Sequence, residues 1–444
     1  MLERLRNLRQ KKEFILHLLN SMWMMMEQVL RIFSGVFVGI YVARKIGPEQ
    51  FGHLSYALAL VIVLMVVSRL GMDSILVRDM VGTTDKRKSY MGTGFGMMQL
   101  ASLVSFVGLG LFTIFFEPDP LTQACLWIIS VELLFQGFYV IDYSFQSDVQ
   151  AKYSAMAKSL ALVGSAGFKV YLAWAGIELK WIAWAYVSEF ALVGFFLLAI
   201  HHLKGRGGFV FHFDFTLVKT LLKSAWPMVL AGLSGVLYMR VDQIMVAKML
   251  GTEQLGLYAA ATRIYEGWII LPYVLSLSLL PAIVKLRAGT AASYEGYLSK
   301  IMAGLFFAGA VVAVAVELGG DWLILISFGP AYTETFPALS VLILGAPLYA
   351  FNAISARYLT AESQEKKIAL RTSVGLVVNL ILNFLLIPQY GIQGAAIATL
   401  ITMLIADYLI NYLDKELRPL VRICNHAVTL QFLWKRAPVE TPKG

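Results

Sequence analysis

Charge is scarce in this chain. Asp, Glu, Lys and Arg make up 15% of its 444 residues, against roughly a quarter in soluble domains. Cysteine is scarcer still: Cys125 and Cys424 stand alone and far apart, which excludes a disulfide framework and a four-cysteine zinc site. The six histidines show no ligand spacing, and 13 prolines among 36 glycines exclude a collagen-like chain. No G-x4-G-K-[ST] loop is present, so a nucleotide-driven pump has nothing to cradle its phosphates. What fills the space is apolar. Hydrophobic residues are 58% of the total, which argues against both disorder and a soluble enzyme. A membrane-crossing helix needs about 20 predominantly apolar residues, and the composition has room for about a dozen.

The apolar runs predict an all-α integral membrane protein with twelve spans, near 14–42, 50–70, 88–116, 119–147, 153–177, 180–202, 218–248, 254–284, 297–319, 336–361, 368–388 and 392–414. The ninth has only Asp321 between it and an extension to Phe328. With the N-terminus cytoplasmic, 29 of the 37 Lys and Arg residues fall on inside segments or the span ends that adjoin them, 4 on outside loops or the span ends that adjoin them, and 4 (Arg31, Lys169, Arg240 and Arg263) deeper within spans. This asymmetry orients a membrane protein with both termini inside. The net charge of +9 is then topogenic and calls for no nucleic acid. The basic start precedes an apolar run far longer than a signal-peptide core and without an A-x-A site, which reads as a retained first helix. Trp174, Trp181, Trp184 and Trp322 sit near outer span ends, where an aromatic belt belongs.

The chain repeats itself. VARKIGPEQFG (Val42–Gly52) and VAKMLGTEQLG (Val246–Gly256) stand at an offset of 204 residues and share Val, Ala, Gly, Glu, Gln and Gly. Each joins the first and second spans of a six-span half. An even number of spans per half makes the repeat parallel, about an axis along the membrane normal, as in alternating-access transporters. The organisation expected is a cytoplasmic N-terminus (1–13), an N-lobe (14–202), an inter-lobe linker (203–217), a C-lobe (218–414) and a basic cytoplasmic tail (415–444). In the tail, an apolar patch through Leu430–Trp434 predicts an interfacial helix. The outside loops are short, which leaves no sizeable extracellular domain.

Ordered pieces along the chain carry a resemblance. They are Trp23-x3-Glu27-x3-Arg31, VARKIGPEQFGHLSYA, GMDSILVRD (Gly71–Asp79), YMRVDQIMVAKMLGTEQLGLYAAATR (Tyr238–Arg263), LLPAIVKL and NLILNFLLIPQYGIQGAAIAT (Asn379–Thr399). Together they resemble the polysaccharide-transporter (Wzx-type O-antigen and capsule repeat-unit) flippases of the MATE/MOP superfamily, from about Leu18 to Asp414. The resemblance implies a two-lobed MATE-like fold in a bacterial cytoplasmic (inner) membrane. It also implies export of a polyprenyl-pyrophosphate-linked oligosaccharide, with no cofactor and no catalysis. A polysaccharide polymerase is a conceivable partner, and H+ or Na+ a conceivable coupling ion. The rival readings are a multidrug antiporter of the same fold and a membrane glycosyltransferase or O-antigen ligase. The latter two classes typically use large outside loops.

Charges within spans are costly, about 2.5–3.5 kcal/mol each on insertion scales, and mark candidate sites. Trp23, Glu27 and Arg31 share one helix face, and Glu27 can pair with Arg31 at i, i+4. Arg240 and Arg263 flank Gly251 at matched depths of roughly 16–18 Å along their helices. Glu266 can pair with Arg263, whereas Asp242 points elsewhere and needs another partner. Arg31, Arg240 and Arg263 are the expected cavity cations for a diphosphate or acidic glycan, since Arg matches phosphate and carboxylate with two bonds. An internal salt-bridge lattice is the competing role. Glu27, Glu132, Asp242 and Glu266 are the expected coupling or ion-pair acids. Five deep acids (these and Glu189) face four deep bases (the arginines and Lys169), so the interior is not simply positive. Lys169 is a candidate partner for Glu132, or a cation that snorkels outward. Asp142 and Asp407, near inner span ends, read as solvated.

Overall fold

The structure is a computed structural model that describes residues 2–83, 86–205, 212–287 and 290–430, with the side chains of 2–18 and 291–292 excluded. The N-terminal basic side chains, the middle of the expected linker and the tail beyond Leu430 therefore lie outside the described residues. The described chain is helical almost throughout, and no strand occurs in it.

Packing divides the chain into two units, Met1–Val236 and Leu237–Gly444. The first holds α1 (Leu2–Arg69), α2 (Met72–Met80), α3 (Arg87–Phe116), α4 (Pro120–Ser130), α5 (Tyr139–Ser147), α6 (Ala151–Trp174) and α7 (Leu179–Leu203). It also takes the start of α8 (Phe215–Leu250), because Leu221 and Ala225 pack with Met72, Leu76 and Met98. Asp214 opens α8 by accepting from the Thr216 hydroxyl at 2.6 Å and amide at 2.9 Å. Those two bonds hold its carboxyl below the usual carboxylate range. The second unit holds α9 (Thr252–Arg287), α10 (Ala291–Ser327), α11 (Phe336–Ile343), α12 (Gly345–Ala361), α13 (Glu365–Met403) and α14 (Arg418–Thr429).

Two long helices conceal breaks. α1 is interrupted at Gly47 (φ 82°) and α13 at Gly391 (φ 57°). The repeat noticed in the sequence has a backbone counterpart. Gly47 and its partner Gly251 (φ 91°) both occupy the positive-φ region, which glycine enters without a Cβ clash. Pro48 and Thr252 then begin the next helical stretch. Positive φ recurs at Val149 and Ser363, each followed by a Gln, and at Gly176 and Gly391, each followed by an Ile.

By length and apolar composition, eight stretches among the described residues can cross a membrane, or nine if α11 and α12, bent by 47°, form one span. α6 is long but carries Lys152, Lys158 and Lys169, and is not among them. Large apolar side chains stand exposed on these helices, including Leu103, Val107, Leu111, Phe115, Val311 and Leu318. Hydrocarbon is the solvent that suits such a surface, and helices satisfy their own backbone polar groups within it. α10 continues to Ser327 as the sequence anticipates. α14 ends before the apolar patch expected to form an interfacial helix, which apart from Leu430 lies outside the described residues. Its apolar face, Leu420, Ile423, Cys424 and Ala427, is already buried in the second unit's own core with Leu298, Met302 and Phe351. Arg422 pairs with Glu295 on α10 at 3.2 Å.

Candidate functional site

In the first unit, charges from four helices form one ladder. On α1, Arg31 receives its i, i+4 partner as expected: Nε and Nη2 donate to Glu27 Oε1 at 3.0 and 2.8 Å. Its third nitrogen reaches α7, where Nη1 donates to Glu189 Oε1 at 2.8 Å. The other oxygen of Glu189 accepts from Lys169 on α6 at 2.9 Å and from Ser165 at 3.2 Å. On the opposite side, Lys158 of α6 lies 3.4 Å from Glu27 and 3.1 Å from Asp142 of α5. Asp142 also accepts from Gln146 at 2.9 Å and from the Ser154 hydroxyl. Three acids and three bases thus alternate, and buried charge is tolerable when each member is paired and hydrogen-bonded.

The sequence reading of Asp142 as solvated is wrong. It is buried, and Lys158 of α6 is its partner. Lys169 is taken by Glu189 and lies 4.3 Å from the Tyr186 ring centroid, so it is not the ion-pair partner of Glu132. Glu132 is 2% exposed, and its carboxylate makes no ion pair and no hydrogen bond among the described residues. It sits in a 3-10 stretch, Val131–Phe138, between α4 and α5. A mid-span 3-10 turn often marks a hinge. Arg69 approaches the same stretch but donates to Gln136 at 2.8 Å and stacks over Tyr139 at 4.4 Å.

In the second unit, Glu266 bridges the two arginines, at 2.9 Å from Arg240 and 3.6 Å from Arg263. The acid expected between the matched guanidiniums is therefore there. Asp242 does face elsewhere: Tyr258 donates to it at 2.6 Å and the Gln243 amide at 2.7 Å. It makes no ion pair among the described residues. Asp242 and Glu266 line a cavity of about 110 Å3 together with Asn352, Asn379, Thr402 and Asp407.

Asp407 is a second residue that was misread as solvated. It is buried in a π-helical turn, Leu404–Tyr408, that follows α13. Such a turn frees carbonyls. Arg371 donates to those of Ala406 at 2.9 Å and Asp407 at 3.0 Å, and Asn352 donates to the Asp407 carboxylate at 2.8 Å. Sequence spacing held no signal for this pair, since Arg371 and Asp407 stand at opposite ends of the last two spans.

The expected cavity arginines keep part of their side chains open: 29% for Arg31, 22% for Arg240 and 23% for Arg263. Each is held by carboxylate yet can still present N–H groups to an anion.

Comparison with known proteins assigns the chain. Residues 18–287 match the family model for polysaccharide biosynthesis protein, and the chain belongs to that family. It is 24% identical over 409 residues to a probable flippase, AglR, of Haloferax volcanii, covering 86% of this chain and 80% of that protein. It is also 24% identical over 195 residues to a probable low-salt glycan biosynthesis flippase, Agl15, of the same archaeon, covering 42% of this chain and 41% of that one. Among solved structures, the lipid II flippase MurJ in an inward closed conformation aligns with a TM-score of 0.66 at 18% identity, over 94% of this chain and 92% of that chain. An inward-facing multidrug resistance MATE transporter of the MOP superfamily aligns with a TM-score of 0.68 at 16% identity, over 95% and 99%. The fold is therefore the one that these two structures share, and the chain is a multi-pass membrane protein of the polysaccharide biosynthesis protein family.

Proposed function

We propose that this member of the polysaccharide biosynthesis protein family is an alternating-access flippase that carries a polyprenyl-diphosphate-linked oligosaccharide from the cytoplasmic to the outer face of its membrane. The observation that carries the reading is the set of part-open guanidiniums, Arg31, Arg240 and Arg263, set deep in apolar helices of a chain two of whose sequence relatives are named probable flippases. A diphosphate or a glycan carboxylate can replace one carboxylate partner at such a guanidinium, because Arg binds both with the same fork. The named relatives are archaeal. The membrane in this reading is a cytoplasmic membrane and the product a surface glycan, without restriction to O-antigen. Counted with breaks at Gly47 and Gly391, with α6 as a crossing and with α11–α12 as one bent crossing, the helices support six spans per half and twelve in all.

Coupling, in this reading, falls to acids that lack a cation. Glu27 and Glu266 are neutralised by arginine. Among the described residues Glu132 and Asp242 have no such partner, which makes them the two acids suited to exchange H+ or to hold Na+. The same two acids are what a multidrug antiporter would use for cationic drugs, and that is the second reading.

The test uses the full chain in vesicles loaded with a defined polyprenyl-diphosphate oligosaccharide and with an organic cation in parallel. Appearance of the glycan on the far leaflet is expected. Arg→Ala at position 31 or 240 should lower it at least about tenfold, and Arg→Lys should also impair it, since the fork is lost. Transport of the cation but not of the glycan would replace this reading with the antiporter.

A further inference from the structure

The 3-10 stretch Val131–Phe138 holds Glu132 and Gln136 four residues apart, both of them buried. Three residues per turn set their side chains about 120° apart, whereas an α-helix would set them about 40° apart. Gln136 faces α1, where it accepts from Arg69 Nε at 2.8 Å. The same guanidinium lies over the Tyr139 ring at 4.4 Å. Arg69 has no carboxylate among the described residues, and its two terminal nitrogens make no hydrogen bond there. Asp73, four residues on, accepts from the Ser74 amide instead. A guanidinium with two nitrogens to spare therefore stands on the Gln136 face, and an acid without a cation stands round the turn from it.

The other groups around Glu132 are committed. Besides Arg69, the charges near it are Glu189 of α7 and Lys169 of α6, and these two bond each other at 2.9 Å. α4 carries no charged side chain, and α3 brings Phe95 and Gln99 against Gly137. α5 supplies Tyr139, which lies under Arg69, and Asp142, which Lys158 holds at 3.1 Å. An ionised Glu132 in the 3-10 form faces the like charge of Glu189 with no cation of its own, a costly state for a buried carboxylate. Rewinding the stretch as α-helix turns Glu132 toward the Gln136 face and Arg69. It also shortens the eight residues by about 4 Å, because the rise falls from about 2.0 to 1.5 Å per residue. α5 moves with the stretch and draws Asp142 along the ladder.

We propose that Arg69 is the cation Glu132 takes when it releases its proton, and that the exchange winds Val131–Phe138 from 3-10 to α geometry. This rests on the reading of Glu132 as a coupling acid of the flippase. With the proton on, Glu132 needs no cation, Arg69 stays on Gln136 and the span is long. With the proton off, Arg69 pairs with Glu132 and the span is short. The shift of Asp142 past Lys158 then carries the protonation state to the ladder that contains Arg31. Arg69 is a positioning residue in this scheme, acting through α5 and the ladder.

The experiment uses the full-length protein in vesicles, with transport of a polyprenyl-diphosphate oligosaccharide followed in parallel. Infrared difference spectra across a pH titration identify the protonated Glu132 carboxyl by its absence from Glu132→Gln. Arg69→Gln should raise the pH at which that band is half lost by about one unit or more, a tenfold change in proton affinity. Gln136→Glu, which keeps the bond to Arg69, should raise it too. Gln136→Leu, which releases Arg69, should lower it. Spin labels at Pro120→Cys and Gln150→Cys, exposed positions that flank the span, read its length; the native cysteines are buried. Raising the pH should shorten that distance by about 4 Å, and it should stay long in Arg69→Gln and in Glu132→Gln. Should Gln136→Leu fail to insert, Arg69→Gln and Gln136→Glu decide the matter. A band that ignores these substitutions, a band absent at every pH, or a distance that does not respond to pH overturns the proposal. Glycan transport without these shifts would leave the flippase reading intact and the switch refuted. The shifts without glycan transport would refute the flippase reading and leave the switch standing.

Discussion

Arg31 does in the first unit what Glu266 does in the second: one forked group ties two opposite charges together. Removing such a group leaves its partners exposed to each other's absence. Glu189→Ala strips both Arg31 and Lys169 of a carboxylate and should destabilise the protein by about 3 kcal/mol, as expected when a buried pair is broken from one side. Thermal unfolding in detergent measures this, and Glu189→Gln should recover only part of the loss, because its one amide oxygen can accept from Arg31 or from Lys169 but its NH2 then faces the donors of the other. Glu132 is a different kind of residue. Among the described residues it has no cation to lose, so Glu132→Gln should leave thermal stability within about 1 kcal/mol while abolishing the part of transport that depends on a pH gradient. Full gradient-dependent transport by that variant would make Glu132 a packing residue only. Asp242→Asn poses the same question for the second unit, where Tyr258 can continue to donate to the amide oxygen.

At the scale of elements, the helices are long and their stops are few, so the turns carry specific chemistry. Gly47 and Gly251 hold φ of 82° and 91°, and a Cβ added at either would meet nothing within 4 Å. The cost of Ala there is therefore backbone strain alone. Each single substitution should lower stability by about 1–2 kcal/mol, read as a fall in the unfolding midpoint of the purified protein. The two falls should be similar, because the two turns are copies. No change in either variant would show that these turns relax to another conformation without penalty. The broken span α4–α5 is the contrasting case. Its 3-10 stretch keeps Glu132 and Gln136 buried without any glycine at a positive φ.

For the whole molecule, the basic residues predict both termini and the 203–217 connection on the cytoplasmic side. Reporter fusions after Gly207 and after Lys415 should both report cytoplasm. An outside signal at either site would contradict the inside count and the parallel repeat at once. Apolar helix surface is the other whole-molecule property. Leu103, Phe115, Val311 and Leu318 face outward as residues of a soluble core never do, and the protein should aggregate when detergent is withdrawn.

The sequence by itself determined the class of the protein. Apolar run lengths, the bias of Lys and Arg, and the repeated turn motif are properties of composition and near-neighbour order, and the helical membrane fold follows from them. It also determined the near-neighbour ion pairs, Arg31 with Glu27 and Arg263 with Glu266, because a 3.6-residue period places i, i+3 and i, i+4 side chains together. Only the tertiary structure decided the rest. Arg31 and Glu189 are 158 residues apart, and Lys169 chose Glu189 over Glu132. Asp142 and Asp407, which stand near span ends, turned out to be buried. The period of a helix says which residues share a face but not which helix that face will meet, nor at what depth. Partner choice among buried charges depends on both, so the ladder, and a Glu132 that has no cation partner among the described residues, emerge only when the helices are packed.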